Sequence, residues 1–587
     1  MQGGLSSFDS LVAERVATSP DREIFVTRSK DDGVWRGVTW QVFASQYEDA
    51  KHVLDAAGLG PGDVLGFLLP SCVTWEIFHI ACLARGVVVV GLDHHDLGEN
   101  FRHAVNLAGV SRLLTDDSGL RRIDFGEDLA ISSVLLVDNT DEHEAIGDRV
   151  VLHEVRADPK IKAHVKGQGE SEDLATIIFT SGSTGSPKGI GYSHAQVSLA
   201  VDAIIEAFPE IDCSKKTVCW LPLSNLFQRV VNLCAMKVGA PIYFVEDPRS
   251  IMDLLPEIRP SLLIGVPRFF EKVFDSVHSK LNEMPAAVRW GLVYVMEHSG
   301  SDSFSERLNR KLANLLFRSV RNAFGGRVEF LISGSAPMPR WLLRNYDAFG
   351  LPLLEAYGLS ENIVPLSANR LTDFKFGSVG KPMRLNDLAI AEDGELLCRG
   401  PGVCKRYLGN EGMELAIDGN GYLATGDYAE LDKDGFIWLK GRKSEIFKTT
   451  TGRRISPVEI EQYVKGSGMV DQALVIGAGK KYLLVIVTIV NDRPANRTMA
   501  ELERLRAAVA GSLEPLPGYK RPGGVLIACQ PFSPQTGELT ANLKLRRKVI
   551  EAKYQAAIDA LYNAIDSEKL AHQGLSEYDS KTYLGRL

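Results

Sequence analysis

Cysteine is scarce: eight residues in 587, at positions 72, 82, 213, 219, 234, 398, 404 and 529. No two of them make a C-x-x-C pair, so the spacing offers no zinc framework. A chain this long does not depend on disulfides for a core, and free thiols in a reducing compartment, the cytoplasm, are expected. A basic excess is also missing. Lys plus Arg is 66 against 74 for Asp plus Glu, a net charge of −8 that leaves no footprint for nucleic acid. Long apolar runs are absent. The most apolar region, 64–92, is broken by Pro70, Glu76, His79 and Arg85, well short of the roughly 20 apolar residues that a spanning helix needs. Met1-Gln2-Gly3-Gly4 leads into a polar, amphipathic segment, so no secretory leader is expected. What remains is 45% hydrophobic and 24% charged, the composition of a soluble globular chain with several domains.

Patterning supplies the fold class. Phe8, Leu11, Val12 and Val16 recur at helical spacing after Ser6-Ser7. Apolar runs at 64–69 and 87–92 flank a helical pattern from Trp75 to Arg85, a βαβ unit. Further strands are expected at 133–137, 176–179, 218–223, 242–245, 262–266 and 330–333, with helical patterns between them, and a polar seam at 158–173. Such alternation argues for an α/β protein with mostly parallel sheets covered by helices. After about Phe376 turn signals become dense (Asp393-Gly394, Gly400-Pro401-Gly402, Asp418-Gly419, Asp434-Gly435), which predicts a β-rich subdomain of hairpins. The last 140 or so residues read as helix, strand, strand, helix, a small α+β domain, with the tail from Gln573 polar and unassigned.

Thr180-Ser181-Gly182-Ser183-Thr184-Gly185-Ser186-Pro187-Lys188-Gly189 follows a buried strand. A loop so rich in Gly and hydroxyls can turn N–H and O–H groups toward phosphate oxygens, with Lys188 as a point charge. It is not a Walker A loop, because Pro187 stands where that motif has Gly. A flexible linker is the competing reading, but linkers rarely abut a buried strand.

This loop resembles the signature of the adenylate-forming superfamily, which includes acyl-CoA synthetases, peptide-synthetase adenylation domains and luciferases. Four further segments resemble that family in its order, over nearly the whole chain. Ser333-Gly334-Ser335-Ala336-Pro337 resembles the segment lining the adenine and acyl pockets. Glu355-Ala356-Tyr357-Gly358-Leu359-Ser360-Glu361 resembles the central motif. There Tyr357 offers a ring to adenine, Ser360 a hydrogen bond to the α-phosphate, and Glu361, with Thr184, ligands for Mg²⁺. Taken alone, Ser360-Glu361 would read as a helix-capping pair. Thr425-Gly426-Asp427 resembles the ribose-binding motif, with Arg442 on the other side; alone, Asp427 reads equally well as turn chemistry. Leu539-Thr540-Ala541-Asn542-Leu543-Lys544 resembles the C-terminal catalytic motif, which makes Lys544 the lysine bridging carboxylate and α-phosphate. Without the family, Lys544 followed by Arg546, Arg547 and Lys548 reads as a solvated face.

The resemblance further implies domains at 1–443 (ATP and acyl binding) and 444–587 (mobile, carrying Lys544). The hinge would be Ser444, and the CoA side would be formed at Lys443 and Gly452. Trp220-Leu221-Pro222-Leu223-Ser224-Asn225-Leu226-Phe227-Gln228-Arg229 is similar to the LPLSHxxER segment of long-chain fatty acyl-CoA synthetases. Val266-Pro267-Arg268-Phe269-Phe270-Glu271-Lys272 and Gly537-Glu538-Leu539-Thr540 belong to the same branch. Asn225 and Gly334 are therefore expected at the acyl gate. The chain departs from the pattern at Asn225 (His), Gln228 (Glu), Gln196 (Asn), Ser444 (Asp or Lys) and Leu543 (Gly). Asn225 can neither titrate nor carry charge. The resemblance implies an AMP-forming ligase using ATP, Mg²⁺ and CoA on an apolar carboxylic acid. Two alternatives remain open: loading of a carrier protein, and a largely non-catalytic nucleotide- and acyl-binding protein. Neither peripheral membrane contact nor a homodimer is decided by these residues.

Overall fold

The computed structural model describes residues 8–94, 97–125, 129–137, 150–154, 173–180, 187–282, 317–409, 415–489, 498–533, 536–539, 545–567, 575–579 and 582–587. The expected βαβ unit is its first structural nucleus. Val64–Leu68 and Val88–Gly91 pair in parallel around the helix Val73–Arg85, which ends at Gly86 in the left-handed conformation, φ 71°. The 64–68 strand is buried throughout, as a parallel strand covered on both faces must be.

This unit sits in an eight-stranded sheet. Its parallel centre runs Leu174–Thr180, 88–91, 64–68, Arg112–Asp116 and Ser133–Val137. Val150–Glu154 closes one edge and Lys188–Ser193 with Tyr407–Leu408 the other, all antiparallel. A second sheet runs Leu262–Gly265, Phe330–Ser333 and Leu353–Leu359 in parallel, then turns antiparallel through Asn362–Ala368 and Lys381–Pro382. A smaller sheet holds Thr217–Cys219, Ile242–Phe244, Glu23–Arg28 and Trp35–Thr39. One large apolar core joins the three sheets, and a second lies on the other face of the eight-stranded sheet under the helix Glu99–Ala108. The α/β expectation with mostly parallel sheets holds. The run expected as a strand over 218–223 stops at Cys219, because Pro222 cannot donate to a ladder and turns the chain toward the next helix.

The turn-rich stretch after Phe376 forms an antiparallel meander: Asp387–Ile390, Glu395–Arg399, Leu423–Leu431 and Ile437–Arg442. Beyond it the C-terminal sheet runs Val470–Ile476, Leu484–Ile489, Gly524–Ala528, Thr582–Arg586 and Leu575–Asp579. Alternation splits its side chains between two faces. Val475, Val485, Val487, Val525 and Ile527 pack under the helices Pro457–Lys465 and Met499–Ser512. Leu474, Ile476, Ile486 and Leu526 pack under Arg547–Asp566. The structure exceeds the helix–strand–strand–helix reading, among other elements by the strand 524–528 and by the antiparallel strands 575–579 and 582–586 that the polar tail makes. All eight cysteines are free, six of them buried. Among the described residues no helix is long and apolar enough to cross a membrane.

Candidate active site

Thr180 and Lys188, which bound the Gly- and hydroxyl-rich segment, are the last register pair between the antiparallel strands 174–180 and 188–193. Ser181, Gly182, Ser183, Thr184 and Gly185 lie outside the described residues. His103 holds the loop's exit through its Nε2, 2.9 Å from the Pro187 carbonyl.

The 333–337 segment caps the parallel half of the second sheet. Gly334 is buried, and a Cβ there would lie 3.6 Å from the Phe227 ring. Ser335 adopts φ 77°, a left-handed conformation that is strained for a side chain with Cβ. Ser335, Ala336 and Pro337 are exposed, facing outward from the strand end. Glu355 stands behind them. Its Oε1 accepts the Met338 N–H at 2.9 Å, while Oε2 is buried with no hydrogen-bond partner among the described residues. Burial pushes its carboxyl up to about 8, against the pull of the Met338 and Gly377 amides. The Glu355 side chain thus supports the pocket segment from within.

Ser360-Glu361 corrects one local expectation. The pair does not start a helix; it forms the turn between the antiparallel strands 353–359 and 362–368. Ala356 and Gly358 flank Tyr357 on the first strand, and Gly358 is exposed. Tyr357 is nearly buried, and its hydroxyl donates to Asp427 Oδ2 at 2.5 Å. Asp427 pairs in register with Arg442, whose Nε lies 3.2 Å from Asp427 Oδ1. Burial raises the Asp427 carboxyl despite the Arg442 cation and the Tyr357 hydroxyl. The central and ribose-type motifs, 70 residues apart, therefore meet in one hydrogen-bonded chain.

The gate segment is fixed by a close approach. A Cβ on Gly91 would lie 2.7 Å from Ser224 Cα, so only glycine lets the 224–225 backbone cross the sheet end there. Asn225 caps the helix Leu226–Val238, its Oδ1 accepting the Phe227 N–H at 3.2 Å. Beneath it lies a buried polar cluster. Gln228 bonds Asn232 (2.8 Å), Asn232 bonds Glu76 (2.6 Å), and Arg229 bonds Thr176 (2.8 Å).

Lys443, expected on the CoA side, has its ammonium paired with Asp393 (2.8 Å) and Glu395 (2.7 Å), and its N–H bonds the Gly426 carbonyl at 2.7 Å. Ser444 follows it in an exposed turn. Gly452 has φ 76° and open space where a side chain would point. Lys544 lies outside the described residues.

The sequence of motifs, the strand pair that bounds the loop and the Tyr357–Asp427–Arg442 chain meet one set of known proteins. A family model described as AMP-binding enzyme matches residues 12–408, and one described as AMP-binding enzyme C-terminal domain matches 445–566. The chain belongs to the AMP-binding enzyme family. Its curated relatives within that family include the long-chain-fatty-acid–CoA ligase FadD15 of Mycobacterium bovis, 28% identical across 94% of this chain and 96% of that one. The human long-chain-fatty-acid–CoA ligase 1 is 27% identical, over 86% of this chain and 79% of its own. Among solved structures, the anthranilate CoA ligase AuaEII in complex with anthranoyl-AMP shares the fold at TM-score 0.72 and 16% identity, covering 95% of this chain and 99% of that one. The o-succinylbenzoate CoA synthetase of Bacillus subtilis in complex with ATP and magnesium ion does so at TM-score 0.64 and 20% identity, over 92% and 98%. The resemblance to the adenylate-forming superfamily, close to its long-chain fatty acyl-CoA synthetases, stands.

Two tyrosines of this AMP-binding enzyme escaped the motif reading. Tyr407 donates its hydroxyl to Glu361 Oε1 at 2.8 Å, and Tyr192 donates to the Ser360 carbonyl. Tyr407 follows the Gly400-Pro401-Gly402 turn signal, which marks a strap but names no partner for it.

Proposed function

We propose that the protein is an ATP-dependent, AMP-forming acyl-CoA synthetase acting on an apolar, fatty-acid-like carboxylic acid. The observation that carries this reading is the 2.5 Å bond from Tyr357 to Asp427, which joins the adenine-side and ribose-side motifs on one surface beside Glu361. The long-chain-fatty-acid names of the curated relatives support the substrate class. Thr180, Lys188 and the loop between them receive the phosphates. Gly334 to Pro337 and Tyr357 form the adenine wall, and Asp427 and Arg442 the ribose edge. Glu361 suits a hard cation, because Tyr407 occupies one carboxylate oxygen and the other has no hydrogen-bond partner among the described residues. With Thr184 it would hold Mg²⁺, whose charge neutralises the ATP oxygens.

In the first half-reaction a carboxylate oxygen bonds the α-phosphorus and pyrophosphate leaves, with Lys544 placed where negative charge develops. In the second, the CoA sulfur bonds the acyl carbon, AMP leaves and the thiol proton goes to solvent. Between them the 444–587 unit rotates about Ser444, the first residue beyond the anchored Lys443. Gly452 then comes to the CoA side, where lack of a side chain admits a close approach. Lys443 serves as the fixed edge of the hinge.

The test is pyrophosphate release from a panel of acids, with and without CoA. Turnover that requires CoA supports the reading; release that stops near one equivalent with CoA present points to a carrier-protein acceptor. Lys544→Ala is expected to slow adenylation by about 10²–10³-fold, the cost of one preorganised charge donor. Thioester formation from supplied acyl-adenylate should change far less. Equal losses in both half-reactions would remove Lys544 from its role.

A further inference from the structure

Lys188 and Glu361 carry opposite charges and form no ion pair with each other among the described residues. Tyr407 stands between them. Its ring lies 4.5 Å from the Lys188 ammonium, and its hydroxyl holds Glu361 Oε1 at 2.8 Å. One side chain thus offers a π face to the cation and an O–H to the carboxylate, the partner each prefers.

The backbone around Tyr407 fixes it in both directions. Tyr407 pairs with Ile190 and Leu408 with Gly189, next to Lys188 on the same strand. The Cys404 N–H bonds the Glu361 carbonyl at 2.8 Å, and the Ile363 N–H bonds the Gly402 carbonyl at 3.0 Å. From the other side Gln196 Nε2 donates to the carbonyls of Pro401 (3.1 Å) and Val403 (3.0 Å). Residues 400–408 are therefore a strap tied to the strand 188–193, to the Ser360–Glu361 turn and to the helix His194–Ala207. Gln196, at a position where relatives usually have Asn, has the reach to hold it.

We propose that Tyr407 is a positioning residue of the nucleotide site. It keeps Lys188 and Glu361 apart, so that neither charge is spent on the other. It also orients Glu361 so that one carboxylate oxygen remains for a divalent cation. The argument rests on the acyl-CoA synthetase reading, since it assigns Lys188 to phosphate and Glu361 to metal. Without the ring, the long Lys188 side chain is free to swing onto Glu361. Without the hydroxyl, Glu361 is free to rotate.

Calorimetric titration of ATP into the full chain at a series of Mg²⁺ concentrations separates these roles without using turnover. Tyr407→Phe keeps the ring and loses the hydroxyl. It is expected to raise the Mg²⁺ requirement for ATP binding about tenfold, the usual cost of an outer-shell partner, with ATP affinity at saturating Mg²⁺ within about twofold. Tyr407→Leu loses both and is expected to weaken ATP binding at saturating Mg²⁺ as well. Thermal melting and circular dichroism of both variants report whether the fold is kept. A Phe variant with the wild-type Mg²⁺ requirement overturns the positioning role while leaving the synthetase reading intact. So does a Leu variant that, though folded, binds like Phe. Wild-type protein that binds ATP without regard to Mg²⁺ overturns the assignment of Glu361, and the role of Tyr407 with it.

Discussion

Glu355 holds a carboxyl buried behind the 333–337 segment, where the amides of Met338 and Gly377 pull its pKa down. Burial outweighs them, keeps the proton on and moves the group from an ordinary 4.5 to about 8. Between these values the folded chain keeps a proton that the unfolded chain has released. Stability contributed by this group therefore falls as pH rises across that window. Glu355→Gln retains a carbonyl for the Met338 N–H and removes the titration. The melting temperature of the variant relative to wild type is expected to rise between pH 5 and pH 9, by roughly 1 °C for each kcal/mol relieved in a chain of this length. Parallel melting profiles over that range would show that Glu355 does not titrate there. The motif reading placed Glu355 in the nucleotide segment. It could not see that the side chain points inward, because strand alternation across 353–359 is masked by burial of both faces at 353–355. The ion pairs of Lys443 were illegible for the same kind of reason. Its partners Asp393 and Glu395 are 50 and 48 residues away, and no local pattern announces them.

At the scale of elements, strands flanked by Gly and turn residues were legible and the tail was not. Leu575–Asp579 and Thr582–Arg586 are too polar to read as strands, because 575–579 is an exposed edge and 582–586 buries alternate side chains only in part. Their function lies in what they cover. The strand 524–528 is buried at every position, and 582–586 pairs along its full length. Removing the hairpin would expose a flat apolar edge, the feature that drives strand-to-strand association. Truncation after Ser567 is expected to accelerate amide exchange at Val525, Leu526 and Ile527 by at least about tenfold, or about 1.4 kcal/mol of local protection. Protection of 64–68 and 88–91 in the large sheets should not change. Unaltered exchange at 525–527 would make the hairpin dispensable.

The whole molecule depends on how its two ends meet. Arg268 reaches across from the helix Pro267–Asn282 to Asp471, 203 residues on, and also bonds Glu271. Lys465 bonds Glu271 from the other side at 2.5 Å. The four groups are mostly shielded: burial pushes the Glu271 carboxyl up, but Lys465 and Arg268 outweigh it and hold it below its ordinary value. Beside them Gly466 packs on Trp341, where a Cβ would lie 3.2 Å from Nε1. The Val266–Lys272 segment was legible as a mark of the long-chain branch. Its physical role was not, because the partners Lys465 and Asp471 sit in the far unit. Breaking a shielded pair costs more than breaking a surface one, since the partner left behind stays partly desolvated. The double variant Lys465→Met, Asp471→Ala removes both cross-links while Arg268 and Glu271 still satisfy each other. On the proposed rotation of the 444–587 unit, this contact would favour one orientation, and its loss should move the two half-reactions in opposite directions in single-turnover experiments. Cleavage near Ser444 by a protease in trace amounts should accelerate by about tenfold for each 1.4 kcal/mol lost. A double variant with wild-type proteolysis and an unchanged ratio of half-reaction rates would show that the contact merely accompanies the orientation and does not hold it.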